Sequence, residues 1–387
     1  MASTRARVLI VGMLDSIHLA RWLEQFSQDD IDFVLFPSTP NRRIHSQIKS
    51  LINTNERATY KIVPGMRMFA FPLAVADLFL ANKIRGKILQ LLIDKSHLKF
   101  DVLHSHETQH AGYLADLAIR KSSKQPKHIL SIWGSDLYWF QQFKKHRTKI
   151  REVLEQTNQL ILECERDIKL ARELGYKGDE PILTLASGGF GNAEIELGRH
   201  SQLTSARKTI LVKGYTGFVG RADLALKAIE GLNAELNEYT IIVYSTDIRT
   251  RQIIARLRRT TNLTITSFRK HELSHSSMLS LFRKARIHIG ISESDGMPGS
   301  LREAMLNGCF PIQSNTSCGN EWIKHLETGI LVSTERPSDI VDAIRTAIQD
   351  DSLVDSAATA NLETMQVRLA GNKLYNRVEN VYFQRRK

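Results

Sequence analysis

Twice along this chain, short runs of aliphatic residues alternate with longer stretches of helical periodicity, and nothing else in the sequence constrains the fold as strongly. Short apolar runs separated by helices require a parallel sheet, because parallel neighbours need a crossover connection rather than a tight turn. The first series of predicted strands is Val8–Gly12, Phe33–Phe36, Val102–His104, His128–Ile132, Leu160–Leu162 and Ile182–Thr184, with helices such as His18–Phe26 and Ala111–Arg120 between them. The second is Thr209–Lys213, Thr240–Tyr244, Leu263–Ser267, Ile287–Ile291, Phe310–Gln313 and Ile330–Val332, joined by helices at Ala222–Leu232, Ile248–Arg259, Ser276–Lys284 and Ser300–Asn307. Between the series, A-S-G-G-F-G at 186–191 and a polar stretch to Lys208 read as a linker. The expectation is an α/β protein of two Rossmann-like domains facing across a cleft, residues 1–190 and 205–361. A last helix, roughly Leu362–Gln384 within residues 362–387, would pack back on the first domain.

Composition narrows the class. The 387 residues exceed one ordinary core, and 42% apolar with 24% charged residues is globular usage. Cys164, Cys309 and Cys318 form no CxxC pair and no zinc spacing, which fits a reducing compartment better than a disulfide framework. The apolar run Val8–Leu14 is too short for a signal-peptide core and reads as a first strand. No stretch reaches the ~20 apolar residues of a membrane span. The expected location is cytoplasmic, either in solution or peripheral on the inner face of a membrane. Net charge is +12, with 28 Lys/Arg against 22 Asp/Glu in residues 1–200 and 25 against 19 in the remainder. Such even spreading, with no zinc-finger or RNA-recognition motif, argues against nucleic acid as a partner.

In parallel sheets ligands sit beyond the carboxyl ends of the strands, so chemistry is sought in the loops that follow them. The most informative is Ile289–Glu321, where a strand ends, a loop with Asp295, Gly296, Met297, Pro298 and Gly299 follows, and a helix opens near Ser300. Glycine allows close backbone approach, and the first helix amides present the positive end of the dipole, which suits a diphosphate. Asp295 and Glu303 flank that cradle and can accept hydrogen bonds from sugar hydroxyls; the plainer reading is a capped loop–helix junction. Lys213, ending one strand, and Arg221, opening the next helix, are candidate diphosphate ligands or ordinary surface cations.

The pattern acidic–Gly–x–Pro–x4–Glu–Ala–Met–x2–Gly–x–x–Pro resembles the Glu–x7–Glu region of family-4 glycosyltransferases of the GT-B fold. Gly319-Asn320-Glu321 and Thr328-Gly329 are similar to that family's downstream punctuation. The resemblance implies that Asp295 contacts the transferred sugar and Glu303 the ribose, with Asp standing where Glu is usual. It places an Arg and a Lys in the turn after the first strand of the second domain. Here the spacing differs, Tyr215 standing at the usual Arg position. The first domain would then bind the acceptor and the second the nucleotide-sugar.

In the first domain, Gly12 precedes a helix that carries His18, without a full G-x-G-x-x-G fingerprint, so a nicotinamide site is weakly signalled. The resemblance puts this loop near the sugar and phosphate; His18 is a donor-site residue or a helix-packing one. His104-Ser105-His106-Glu107 resembles the acceptor-side segment, and one such cluster is a poor metal signal. Ser131-Ile-Trp133-Gly134-Ser135-Asp136 resembles a Trp–Gly–Ser–Asp loop. Other members have a His where Trp133 stands, so Asp136 and His106, with Asp295, are the candidate catalytic groups; Asp136 reads equally as a turn or cap residue. Basic and aromatic residues cluster at Met66–Phe71, Lys83–Lys87 and Lys144–Arg151, and Phe79–Ile93 reads as a helix suited to an anionic membrane or as ordinary core and surface.

The function expected from the resemblance is metal-independent sugar transfer from a nucleotide diphosphate donor to a saccharide or lipid-linked acceptor, with retention of configuration and no cofactor. Polysaccharide or glycolipid assembly is the expected setting. A sugar-nucleotide epimerase on the same fold, and a catalytically silent partner subunit of a transferase, remain open.

Overall fold

The computed structural model describes residues 5–54, 57–80, 82–95, 99–184, 202–270, 272–369, 378 and 380–383. The linker reading at 186–191 lies outside the described residues. Two compact units emerge, one of residues 1–189 with 372–387, the other of residues 190–371.

In the first unit seven strands are described: β1 (Ala6–Gly12), β2 (Ile31–Pro37), β3 (Thr59–Ile62), β4 (Val102–His106), β5 (Lys127–Ser131), β6 (Gln159–Leu162) and β7 (Ile182–Leu183). All pair in parallel, in the order β3-β2-β1-β4-β5-β6-β7. Helices cover both faces, so the central strands are apolar on both. Along β1 the alternation of side chains divides the core: Val8 and Ile10 join Trp22, Phe26 and Phe33 on one face. Leu9 and Val11 join Leu89, Leu103 and Leu114 on the other.

The second unit repeats the plan with β8 (Thr209–Lys213), β9 (Thr240–Thr246), β10 (Thr264–Arg269), β11 (Ile287–Gly290), β12 (Phe310–Ser314) and β13 (Ile330–Val332). These are also parallel, in the order β10-β9-β8-β11-β12-β13. Ile210 and Val212 of β8 lie in the main core with Ile241, Val243 and Ile289. Leu211 turns to the opposite face with Tyr244, Phe282 and Ala304. Both units are therefore Rossmann-like. In each, chain order reverses beside the first strand, between β1 and β4 and between β8 and β11, and this opens a crevice at the strands' carboxyl ends.

Three elements depart from expectation. Strand β3 was not foreseen. The stretch Phe79–Ile93 is not one helix: Ala70–Leu80 and Lys83–Lys95 are separate helices, with Asn82 between them at φ 67°, a left-handed conformation that Asn tolerates. The long helix near the C terminus runs Asp351–Leu369, starting well before Leu362. Beyond it, Val378, Val381 and Tyr382 are buried in the core of the first unit. No helix among the described residues is long and apolar enough to cross a membrane.

Candidate functional site

At the switch point of the second unit, β8 ends in Lys213 and the chain turns through Gly214. The Gly214 amide donates to the Tyr244 carbonyl at 2.8 Å. A Cβ here would meet that oxygen at 2.5 Å, so the turn needs glycine. The following loop is stitched to its neighbours. Thr216 N donates to Asp247 Oδ2 at 2.9 Å, while the other carboxylate oxygen caps the helix Ile248–Thr260 through Thr250 N at 2.8 Å. Phe218 O accepts from Glu293 N and Ser294 N at 2.9 and 3.0 Å, which fixes the loop after β8 against the loop after β11.

Between those loops Lys213 Nζ reaches Asp295 Oδ2 at 3.1 Å and lies 5.3 Å from the centre of the Tyr215 ring. Asp295 Oδ1 accepts from Gly296 N at 3.0 Å. Met297 is buried, Pro298 is extended, and the helix Gly299–Leu306 begins with no side chain capping its amides. Ser300 lies in its first turn. The floor is the buried pair Tyr244 and His288, whose hydroxyl and Nε2 are 3.0 Å apart. Burial, with Lys213 nearby, pushes the His288 imidazole down to about 3, so it is neutral. Lys213 and the Gly296 amide thus both bond to Asp295, just before a helix whose N terminus no side chain caps, an arrangement that can hold a diphosphate in the carboxylate's place.

The other second-unit candidates sit differently. Arg221 donates from Nε to Asp223 Oδ1 at 3.0 Å and from Nη1 to Glu293, and these carboxylate bonds raise its pKa further. Its charge is balanced on two carboxylates, Asp223 and Glu293, as that of Lys213 is on Asp295. Glu303 Oε1 meets His275 Nε2 at 2.9 Å. Glu293 and His275 were not read from the sequence: each is a common polar residue in a loop or first helical turn, and only the pairing marks it.

In the first unit, the ends of β1 and β4 meet at Gly12, where a Cβ would lie 3.0 Å from Leu19 Cδ2 and 3.4 Å from His106 Cβ. Ser16 caps the next helix by accepting from His18 N at 3.1 Å, leaving the His18 ring exposed, 5.1 Å from the Trp133 ring. A small cavity is lined by His18, Trp22, His106, Ser131, Trp133 and Glu163. His106 is buried, its Nε2 has no hydrogen-bond partner, and desolvation lowers its pKa to about 3. It is a neutral imidazole available to one hydroxyl.

Behind it lies a directional chain. Trp22 Nε1 donates to Tyr382 Oη at 2.9 Å, so the Tyr382 hydrogen is directed to His104 Nδ1 at 2.6 Å, and His104 Nε2–H to Ser131 Oγ at 2.8 Å. Burial, followed by His106 and His128, holds His104 well below its ordinary pKa, as a neutral tautomer requires.

Asp136, expected next to the reacting bond, is instead a buried tie between two loops. Its Oδ2 accepts from Thr108 N at 2.8 Å, Thr108 Oγ1 at 3.1 Å and Trp133 N at 3.0 Å. Burial foremost, and then the charge of Glu107, raise its pKa well above the usual carboxylate range. The geometry is that of a turn residue which positions Trp133. Among the candidates the structure therefore gathers Lys213, Asp295, Gly296 and the Pro298–Ser300 turn at one switch point, with Glu303 further along the helix. It gathers Gly12, His18 and His106 at the other.

Two family models match the chain: glycosyl transferase 4-like over residues 7–163 and glycosyl transferases group 1 over residues 197–363. Among solved structures, HepE from Anabaena in complex with UDP is similar, with a TM-score of 0.69 and 13% identity over 97% of this chain and 99% of that one. A glycosyltransferase from Rickettsia africae has a TM-score of 0.68 at 13% identity, over 98% of each chain. Sucrose-phosphate synthase from Thermosynechococcus elongatus has a TM-score of 0.65 at 13% identity, again over 98% of each. At such identities the likeness concerns the fold. No curated protein matches the chain.

Proposed function

This chain belongs to the family-4 glycosyltransferases of the GT-B fold, and on that premise we propose that its second unit binds the nucleotide diphosphate of the donor at Lys213, Gly296 and the first turn of the helix Gly299–Leu306. The observation that carries this is the 3.1 Å pair between Lys213 and Asp295 at the switch point. Without ligand, Asp295 neutralises the lysine. An arriving diphosphate takes over Lys213, and the carboxylate is released to accept hydrogen bonds from the sugar hydroxyls. Glu303 takes the ribose hydroxyls in place of His275.

The reaction in this reading moves the sugar to a saccharide or lipid-linked acceptor with retention and without a metal. Charge on the departing diphosphate is met by Lys213 and the helix amides. A phosphate oxygen of the leaving group receives the acceptor proton on the same face of the sugar. His106, neutral and with a free ring nitrogen in its cavity, orients a substrate hydroxyl, and Asp136 holds Trp133 over the same cavity.

The HepE structures contain UDP and UDP-glucose, which makes these the first donors to try. The test is calorimetric titration with UDP, UDP-glucose, GDP, ADP and NAD in the presence of a chelator. One nucleoside diphosphate should bind, with Lys213→Ala weakening it on the order of 10–100-fold and Glu303→Ala weakening it less. Binding of NAD alone, or an absolute requirement for magnesium, would overturn the reading. Turnover of the sugar nucleotide with no acceptor present would favour an epimerase.

A further inference from the structure

The helix Ala70–Leu80 presents a stripe of large apolar side chains to solvent. Phe71 is 73% exposed and Phe79 81%, and Val75 lies between them at the same helical phase. Met68 and Phe69, just before the helix, are 65% and 53% exposed. The opposite face is anchored by buried Ala70 and Leu73. Asp77 is also turned inward, meeting Arg85 Nε at 2.6 Å. Arg85, itself buried, reaches Asn82 Oδ1 at 2.7 Å and the Ser38 carbonyl as well, so the helix pair is pinned and the stripe is held outward.

Along the segment that carries the stripe the charges are nearly all of one sign. From Lys61 to Ile93 the sequence contains a single acid, Asp77, and its charge is consumed by Arg85. Lys83 and Lys87 are exposed one turn apart on the next helix, beside exposed Ile84. On the other side, Arg67 Nη2 donates to the Arg42 carbonyl at 3.0 Å and Arg42 Nη2 to the Met68 carbonyl at 3.4 Å. Neither guanidinium forms an ion pair with a carboxylate among the described residues. Both line an open pocket of about 520 Å³ whose apolar wall is Ile62, Val63 and Met68.

We propose that this face docks on an anionic phospholipid bilayer, with Phe71, Val75 and Phe79 at the acyl boundary and a headgroup phosphate between Arg42 and Arg67. An exposed apolar stripe in a segment whose one acid is paired and whose other charges are cations matches a negatively charged interface. A second copy of the chain would bring the same cations together, which disfavours self-association. The stripe follows β3, and in a parallel sheet all carboxyl ends share one edge. The docking face therefore lies at the edge of the sheet that carries Gly12 and His106. Docking stands independently of the transferase reading; delivery of a lipid-linked acceptor to that edge rests on it.

The test is flotation of the full chain with vesicles of phosphatidylcholine alone and of phosphatidylcholine with phosphatidylglycerol, at low and high salt. Binding should require phosphatidylglycerol and weaken with salt. Phe71→Glu with Phe79→Glu should lower it by on the order of 10–100-fold, and Arg42→Glu with Arg67→Glu by about as much, while thermal melting and nucleotide binding stay unchanged. No binding to anionic vesicles, unaltered binding by the Phe variants, or dimerisation through the stripe in sedimentation equilibrium would each overturn the proposal. Loss of nucleotide binding in wild type would instead strike at the donor-site reading and leave docking untouched.

Discussion

The hydroxyl of Tyr382 determines which nitrogen of His104 carries a proton. It accepts from Trp22 Nε1 and so has its own hydrogen to give to Nδ1, leaving Nε2–H for Ser131. Every group in the chain is buried, so each lost partner exposes a desolvation penalty rather than a bond that water replaces. Tyr382→Phe keeps the ring among Phe26, Phe33 and His104 and removes only the oxygen. It orphans the indole N–H and frees His104 to change tautomer. The expected cost is about 1–3 kcal/mol, read from urea unfolding. A loss below the error of that measurement would mean that water or a side-chain shift satisfies both groups. No local pattern could have revealed this residue, because its partners Trp22 and His104 lie 360 and 278 positions away. The partners of Asp136 and Arg221 were hidden for a related reason. The sequence shows which residues can be ligands, while the Thr108 amide and the Glu293 carboxylate that occupy them belong to other loops.

At the scale of elements, the turn after β4 depends on a single carboxylate. Glu107 stands at φ 75° and accepts from the amides of Gln109 at 2.9 Å, His110 at 2.7 Å and Ala111 at 2.6 Å. It caps the wide turn Thr108–Gly112 that leads into the helix Tyr113–Ile119. Glu107→Ala leaves those amides without an acceptor while keeping the unfavourable backbone angle, so it should cost about 2 kcal/mol or more. Urea unfolding measures this, and Glu107→Gln, which retains one acceptor oxygen, should recover part of the loss. If the two variants were equally stable, the cap would not be the source. Strands were largely legible because buried parallel strands read as short apolar runs: Thr209–Lys213 in the middle of its sheet and Ile330–Val332 at the edge were both read to the residue. The edge strand β3, T-Y-K-I with Lys61 exposed, shows no such run and was missed. The start of the helix Asp351–Leu369 was misplaced because only Asp350 separates it from the preceding helix, with no Gly or Pro to mark the break.

Across the whole molecule, the two units share a topology but differ in how they bury histidine. The first holds His104, His106 and His128 as neutral imidazoles on strands β4 and β5, their pKa values lowered mainly by desolvation, His106 to about 3 and His128 to about 4. Among the described residues of the second, only His288 is comparable, at about 3. Above pH ~6.5 these groups are uncharged folded or unfolded, and their contribution to stability is complete. As pH falls below that, the unfolded chain takes up protons that the native core refuses, and stability declines until the folded pKa is passed. At pH 5 this is roughly 2 kcal/mol for each imidazole. Asp136 runs the other way, since its raised pKa lets the folded state gain a proton first. His110, whose pKa is raised chiefly by its hydrogen bond to Glu107, also gains its proton first in the folded state, so its stabilisation grows as pH falls and is complete only below pH ~6.5. The first unit should therefore lose a few kcal/mol between pH 7 and pH 5, and the second about half as much or less. Scanning calorimetry should show the transition of the first unit falling further, by roughly 5–10 °C. Tyr382→Phe labels that transition, because it weakens only the unit that contains its ring. Equal shifts of both transitions would mean that the buried imidazoles of the first unit find protons in the native state, and the directional chain from Trp22 to Ser131 would have to be redrawn.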